Sequence, residues 1–194
     1  MAAIEWTASK PNDGVDFIFV PIDSIFRALS GAVDAFSFSA GYWRMSPSYT
    51  NLMQNQFKAL LAMIGKLHGR TGTIRVPAWN FGRSDDIGSL YVQTASTQAL
   101  SMTIYGADPS IQIFTAGDMI TVADQLFLIT DDVVSSSGGE ATLNLNNRIR
   151  TSIPADTAIE YQRPYCVMRC MNSEQVLSMS GEIGSIPLEF VEDV

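Results

Sequence analysis

The sequence predicts a mainly β protein, a β-sandwich with one α-helix into which a small β-barrel-like module is inserted. Three observations predict this fold class. Short apolar segments with alternating patterns recur along most of the chain, one stretch has helical periodicity, and the second half alternates closely between strands and turns. The predicted host domain comprises residues 1–89 and 164–194, and the predicted all-β insertion comprises residues 90–163.

Two strands are predicted before the helix. The turn-forming sequence Pro-Asn-Asp-Gly, residues 11–14, precedes an apolar run that begins at Val15. In the following segment, AFSFSAGYWRMS, Tyr42 lies on the face that carries Phe36 and Phe38, and Trp43 lies on the face that carries small residues. This alternation predicts a half-buried strand.

One helix is predicted at about residues 51–68. Its apolar residues repeat at spacings of three and four, which places them on one side; they are Phe57, Leu60, Leu61, Ile64 and Leu67. Gly69 suits a left-handed residue at the helix end, and the cations His68 and Arg70 suit the negative end of the helix dipole. A structural turn is therefore predicted at Gly69 and Arg70.

An irregular loop is predicted from Trp79 to about Ser89, and short strands follow it at close spacing. The clearest turns between these strands are TAGDMIT, which contains Gly117 and Asp118, and SSSGGEA. A second structural turn is therefore predicted at Gly117 and Asp118.

The overall composition excludes several functional classes. The chain has 194 residues, 12 basic and 20 acidic, and a net charge of −8 without a basic stripe, so sequence-specific nucleic-acid binding is not expected. No apolar run approaches the roughly 18 residues of a membrane helix, and no secretory signal is visible. We expect a soluble product made in the cytoplasm. Charged residues form only 16% of the chain, which predicts that part of its surface contacts other protein.

Residue patterns for catalysis, cofactors and metals are weak. Cys166 and Cys170 lie four residues apart, and on a strand they would be about 13 Å apart, too far for a disulfide, so free thiols are predicted. His68 is the only histidine, and no nucleophile elbow or phosphate-binding loop is present. We therefore expect no catalytic residue, cofactor or metal, and no enzyme. The alternatives are a hydrolase or calcium site at Asp85–Asp86 or Asp131–Asp132.

The irregular loop supplies the predicted interface residues. Trp79, Phe81 and Arg83 combine aromatic side chains with an arginine, the residue types that interface cores favour. A sugar-binding platform would use the same aromatics together with Asp85. A carbohydrate- or receptor-binding β module is therefore the alternative function.

Two long segments resemble structural proteins from the distal tail or baseplate of long-tailed bacteriophages. The first, YWRMSPSYTNLMQNQFKALLAMIGKLHGRTGTIRVPAW, has an aromatic strand, a turn, a helix, a Gly-Arg turn and a strand. The second begins AGDMITVADQLFLITDDV and ends AIEYQRP, and it is similar to a small β insertion in such proteins. The matching motif residues are Gly69 and Arg70 in the first segment, and Gly117 and Asp118 in the second.

The resemblance implies a structural role in the virion. Members of this family form a six-fold ring at the tail tip, built by a β-sandwich with a helix and a hairpin. The ring joins the tail tube to hub, fibre or receptor-binding proteins. The expected partners are copies of the same chain, the tube protein and hub or fibre proteins, while DNA passes through the ring. Many relatives have a second C-terminal domain, whereas this sequence stops at Val194. A tube-forming or tail-completion protein is the near alternative.

Overall fold

The structure is a computed structural model that describes residues 2–27, 33–172, 178–180, 183–185 and 188–194. Strands dominate these residues, with a single helix, so the predicted mainly β fold is confirmed. The strands form several separate sheets, and within the described ranges none of the sheets closes into a barrel.

The described elements are all strands except for one helix, which lies between the fourth and fifth strands. They are β1 (Ile4–Glu5), β2 (Val15–Arg27), β3 (Val33–Pro47), β4 (Leu52–Met53), α1 (Gln54–Gly65), β5 (Thr73–Pro77), β6 (Tyr91–Ala95), β7 (Ser101–Tyr105), β8 (Gln112–Phe114), β9 (Met119–Val122), β10 (Gln125–Leu128), β11 (Val133–Val134), β12 (Ala141–Asn144), β13 (Ile159–Glu160), β14 (Tyr165–Cys170), β15 (Ser178–Ser180), β16 (Ile183–Ser185) and β17 (Phe190–Glu192).

The chain forms two compact units. The first contains Met1–Val20, Tyr42–Pro77 and Cys166–Val194, and the second contains Pro21–Gly41 and Ala78–Tyr165. Residues 78–83 are tied into the second unit by backbone hydrogen bonds, from Ala78 N–H to the Pro164 carbonyl (2.8 Å) and from Arg83 N–H to the Tyr161 carbonyl (3.0 Å). The predicted division at 89/90 and 163/164 stays a prediction.

A six-stranded sheet organises the first unit, in the order β1-β5-β14-β17-β3-β2. β1 is parallel to β5, with Ile4 opposite Ile74, while β17 is antiparallel to both of its neighbours. Burial alternates along β5 and β14, as expected for strands with one face against a core. β4, β15 and β16 form a separate small sheet.

The helix is shorter than predicted. It begins at Gln54 because Leu52 and Met53 pair with β16, and it ends at Gly65 rather than near residue 68. Beyond Gly65 the N–H groups of Leu67 and His68 donate to carbonyls three residues back, which tightens the turn. The buried helix residues are Phe57, Leu60, Met63 and Ile64, and the predicted stripe member Leu61 is only half-buried.

The described side chains of β3 show which of its faces is buried. Trp43 and Met45 are 3% and 0% exposed, whereas Tyr42 is half-buried. Phe17 and Phe19 of β2 pack their rings against Trp43, with centroid distances of 5.3 and 5.1 Å. The buried face is therefore the one that carries Trp43, because aromatic rings from the adjacent strand cover it. The side chains of Phe36 and Phe38 lie outside the described part.

A buried carboxylate lies in this sheet. Glu192 of β17 is 5% exposed, and its Oε2 accepts a hydrogen bond of 2.9 Å from the backbone N–H of Trp43. The adjoining register pairs Phe190 with Met45 and Val191 with Arg44. The side chain of Glu192 thus takes the place of a backbone acceptor where the β3–β17 ladder ends.

The second unit is built from three small sheets, ordered β12-β7-β6, β10-β9-β13 and β11-β8. One apolar core fills the unit, and its largest fully buried side chains include Phe114, Phe127, Met102 and Ile104. Isolated bridges from Tyr91 to Ala158 and from Ile129 to Leu145 connect the sheets β12-β7-β6 and β10-β9-β13 around this core. The arrangement is barrel-like, although within the described residues no single sheet closes into a barrel.

Replacing Glu192 with Ala is expected to lower the free energy of unfolding by about 1–3 kcal/mol, because the buried N–H of Trp43 loses its carboxylate acceptor. Chemical denaturation followed by tryptophan fluorescence measures the change. Glu189→Ala is the matched control. The Glu189 side chain is 42% exposed, it lies 3.6 Å from Arg44, and its loss should cost less than about 1 kcal/mol. Equal losses in the two variants would contradict the structural role of Glu192.

The two cysteines are expected to resist thiol reagents in the native protein. Cys166 and Cys170 are both free and are 0% and 2% exposed, and burial raises the pKa of the Cys170 thiol, which disfavours the reactive thiolate. A colorimetric thiol assay should detect no thiol in buffer and both thiols in guanidinium chloride. Rapid labelling of either residue in buffer would show that β14 is accessible.

Candidate functional site

The long edge strand β2 is the first candidate functional surface. It lies at one end of the six-stranded sheet and comprises Val15–Arg27. In the first unit, Phe17 and Phe19 turn towards Trp43 while Ile18 is 46% exposed. The continuation of the strand belongs to the second unit, where Ile22 is 49% exposed.

An edge strand of this length has a specific chemical property. The outer backbone N–H and C=O groups of an edge strand can pair with a further strand, and proteins usually blunt such edges with charges, prolines, bulges or short strands. β2 carries an exposed isoleucine in the first unit, and the charged Asp16 and Asp23 lie along it. Asp16 and Asp23, with Pro21 between them, limit strand pairing along this edge, and the exposed apolar side chain of Ile18 is the feature that suits contact with another chain.

The predicted interface residues lie in one irregular segment of the second unit but differ in environment. Phe81 is 38% exposed, whereas Trp79 is half-buried. Arg83 is engaged inside the unit: its Nη1 donates to the Ile113 carbonyl at 2.8 Å, and its Nη2 lies 3.6 Å from Asp85. Phe81 is thus the member of the three with an exposed side chain, and Arg83 links the segment to β8.

The predicted structural turns have defined backbone roles. Gly69 has a φ of +78°, and the Nε of Arg70 donates to the Met171 carbonyl at 2.9 Å. Gly117 has a φ of +103°, and the carboxylate of Asp118 accepts from the Thr115 N–H at 2.8 Å. Glycine tolerates these left-handed conformations without a steric penalty.

The acidic pairs make local hydrogen bonds. Asp131 accepts from the Thr130 hydroxyl and the Asn144 amide, both at 2.9 Å, and Asp132 accepts from the Ala116 N–H at 2.9 Å. Asp86 accepts from the Gly88 N–H at 3.1 Å. These carboxylates therefore fix turns, as short acidic side chains commonly do.

The described residues offer neither a metal site nor a membrane-spanning helix. Among the residues that the structure describes, no three His, Cys, Asp or Glu side chains are grouped so that they could hold a metal ion. Within the same ranges, no helix has both the length and the apolar character needed to cross a membrane.

The sequence did not reveal the candidate surface on β2. The apolar run predicts a strand but does not predict that this strand lies at the edge of a sheet, because sheet order depends on pairings between distant segments. The exposure of Ile18 is a consequence of that order. The sequence nevertheless contains one indication of this surface. Asp16 and Ile18 alternate with Phe17 and Phe19, so one face of the strand is aromatic and the other carries both a charged and an apolar side chain.

Comparisons with known proteins do not assign the chain to a family. No protein-family model matches the sequence, and no curated protein matches it.

Gly82 allows the segment with the predicted interface residues to lie close to the loop between β13 and β14. A Cβ at this position would lie 2.4 Å from the Gln162 carbonyl oxygen and 2.6 Å from Pro164 Cδ. Gly82→Ala is expected to destabilise the protein by about 1–3 kcal/mol through overpacking. Gly138→Ala is the control, because its nearest neighbour would be the Ser136 hydroxyl at 3.7 Å. Thermal unfolding checks both, and an unaffected Gly82→Ala variant would contradict the close approach.

Proposed function

We propose that this chain is a structural subunit of a phage tail tip, where copies of it form a ring that joins the tail tube to the hub and the receptor-binding apparatus. The long edge strand β2, with exposed Ile18, is the observation that carries the proposal. The expected partners of the protein are other copies of the chain, the tube protein and hub or fibre proteins. Its expected location is the virion.

The sheet order supports self-assembly through unlike surfaces. The six-stranded sheet ends in a long strand, β2, on one side and in the two-residue β1 on the other. A contact that uses β2 of one copy and a different surface of the next is head-to-tail, and head-to-tail contacts close into rings when the rotation permits. The low charged fraction of 16% also suits a subunit that buries surface against neighbours.

The resemblance of the sequence supplies the biological setting. The strand, turn, helix and Gly-Arg turn of residues 42–79 correspond to β3, α1, the turn at Gly69 and Arg70, and β5. The long strands β2 and β3 are neighbours in the sheet and suit the hairpin of such ring proteins. The net charge of −8 suits a ring through which DNA passes without binding.

Light scattering behind a sizing column, at several protein concentrations, tests the proposal. The wild-type chain should form a hexamer or approach one as concentration rises. Ile18→Lys should shift the mass towards the monomer, because it places a charge on the edge strand.

Val134→Lys provides the matched control. Val134 is 62% exposed on β11 in the second unit, so this variant adds the same charge at a different apolar position and should assemble like the wild type. A wild-type monomer at every concentration, including in the presence of the tube and hub proteins, would refute the ring. Equal effects of the two variants would exclude β2 as the contact.

A further inference from the structure

The second unit contains a cleft that the assembly proposal does not use. Its volume is about 360 Å³, at the lower end of the range for small-molecule sites. Two stretches of chain line it, Asp86 with residues 88–91 and the strand region 158–162. The two stretches are far apart in sequence and are brought together by the fold.

The polar groups of the cleft are mainly hydrogen-bond acceptors. The lining contains the carboxylates of Asp86 and Glu160 and the side-chain amide of Gln162, and it contains no lysine or arginine. Asp86 Oδ1 accepts from Gly88 N–H, and Glu160 Oε1 accepts from Arg163 N–H at 2.7 Å. A carboxylate offers about four acceptor positions, so both groups retain capacity for hydroxyl donors of a ligand.

Aromatic side chains supply the other part of the lining. Tyr91 is half-buried, and its ring stacks on Tyr105 with a centroid distance of 5.7 Å and an angle of 30°. The Tyr105 hydroxyl donates to Asp156 at 2.6 Å, which holds that ring in place. The Tyr91 ring is therefore a supported apolar surface beside carboxylates.

A second tyrosine fixes the wall of the cleft. The Tyr161 hydroxyl accepts from Ile87 N–H at 3.3 Å, and its proton lies between the Gly88 carbonyl at 3.0 Å and Asp86 Oδ1 at 3.3 Å. Burial raises the pKa of Tyr161 above the ordinary value of a tyrosine, which already leaves the hydroxyl protonated at neutral pH. These bonds hold residues 86–88 against Tyr161, which directly follows β13, and a wall fixed before binding costs less ordering entropy when a ligand binds.

Close backbone contacts add to this rigidity. A Cβ on Gly88 would lie 2.5 Å from the Gly106 carbonyl oxygen, and a Cβ on Gly106 would lie 2.2 Å from the Ser89 carbonyl oxygen. Both glycines have positive φ, +98° and +91°. The loop that lines the cleft is therefore packed directly on the turn after β7.

We propose that this cleft binds a neutral saccharide, of the size of a mono- or disaccharide unit. Sugar hydroxyls donate to the carboxylates of Asp86 and Glu160, the Gln162 amide both donates and accepts, and the apolar face of a sugar ring packs on Tyr91. Phosphate and acidic sugars are excluded by the two carboxylates, which no basic group in the lining offsets. The proposal does not depend on ring formation.

Saturation-transfer NMR with the full chain tests this binding, using D-glucose, D-galactose, N-acetyl-D-glucosamine and maltose as probes at millimolar concentration. At least one probe should receive magnetisation from the protein. Inorganic phosphate, added in excess, should not compete. The absence of transfer to all four probes, or competition by phosphate, would overturn the proposal.

Two variants locate the binding. Glu160→Gln keeps the side-chain shape and the acceptor for Arg163 N–H, and should weaken binding about three- to tenfold through loss of a charged acceptor. Gln162→Ala should also weaken it, which keeps the test decisive if Glu160→Gln folds poorly by circular dichroism.

The control variant is Asp108→Asn. Asp108 is an exposed carboxylate of the same unit outside the cleft lining, so this variant should bind like the wild type. Wild-type binding by both cleft variants would place the sugar elsewhere and refute the site. The mass in solution, measured alongside, should not change in any of these variants, which separates this proposal from the assembly proposal.

Discussion

The hydrogen bond from Ala78 N–H to the Pro164 carbonyl closes the base of the long segment between β5 and β14, and the six-stranded sheet depends on that closure. β5 ends at Pro77 and β14 begins at Tyr165, and the two strands are neighbours in the six-stranded sheet. The sheet can therefore continue from β5 into the C-terminal strands only if both ends of the insertion meet. Loop-closure entropy grows slowly with length, so a long insertion is tolerated once its own core holds its ends together.

The same sheet order explains the functional proposals. β17 occupies the position beside β3, and Glu192 completes the backbone hydrogen bonding there. β2 is then left at the edge, where Ile18 is exposed. In the second unit, Tyr161 holds residues 86–88 and so fixes one wall of the cleft. The assembly proposal and the ligand-binding proposal thus rest on different hydrogen-bonded frameworks within one chain.

Local patterns in the sequence predict part of this structure. The spacing of Phe57, Leu60 and Ile64 predicts the helix, because its buried face is a local property. The helix start at Gln54 could not be predicted, since Leu52 and Met53 pair with a strand more than a hundred residues away. The cleft could not be predicted for the same reason, because Asp86 stands beside Asp85 in the sequence whereas its spatial neighbour Tyr161 lies 75 residues further along the chain.

The position of β17 in the sheet also determines when the protein can fold during synthesis. Most of the second unit is one continuous segment, Ala78–Tyr165, and its core can form as soon as that segment leaves the ribosome. The sheet of the first unit must wait for β14 and β17, which follow that segment in the chain. Until then β3 lacks its partner β17, so the apolar face at Trp43 stays exposed in the nascent chain, which makes this stage of synthesis the one most prone to aggregation.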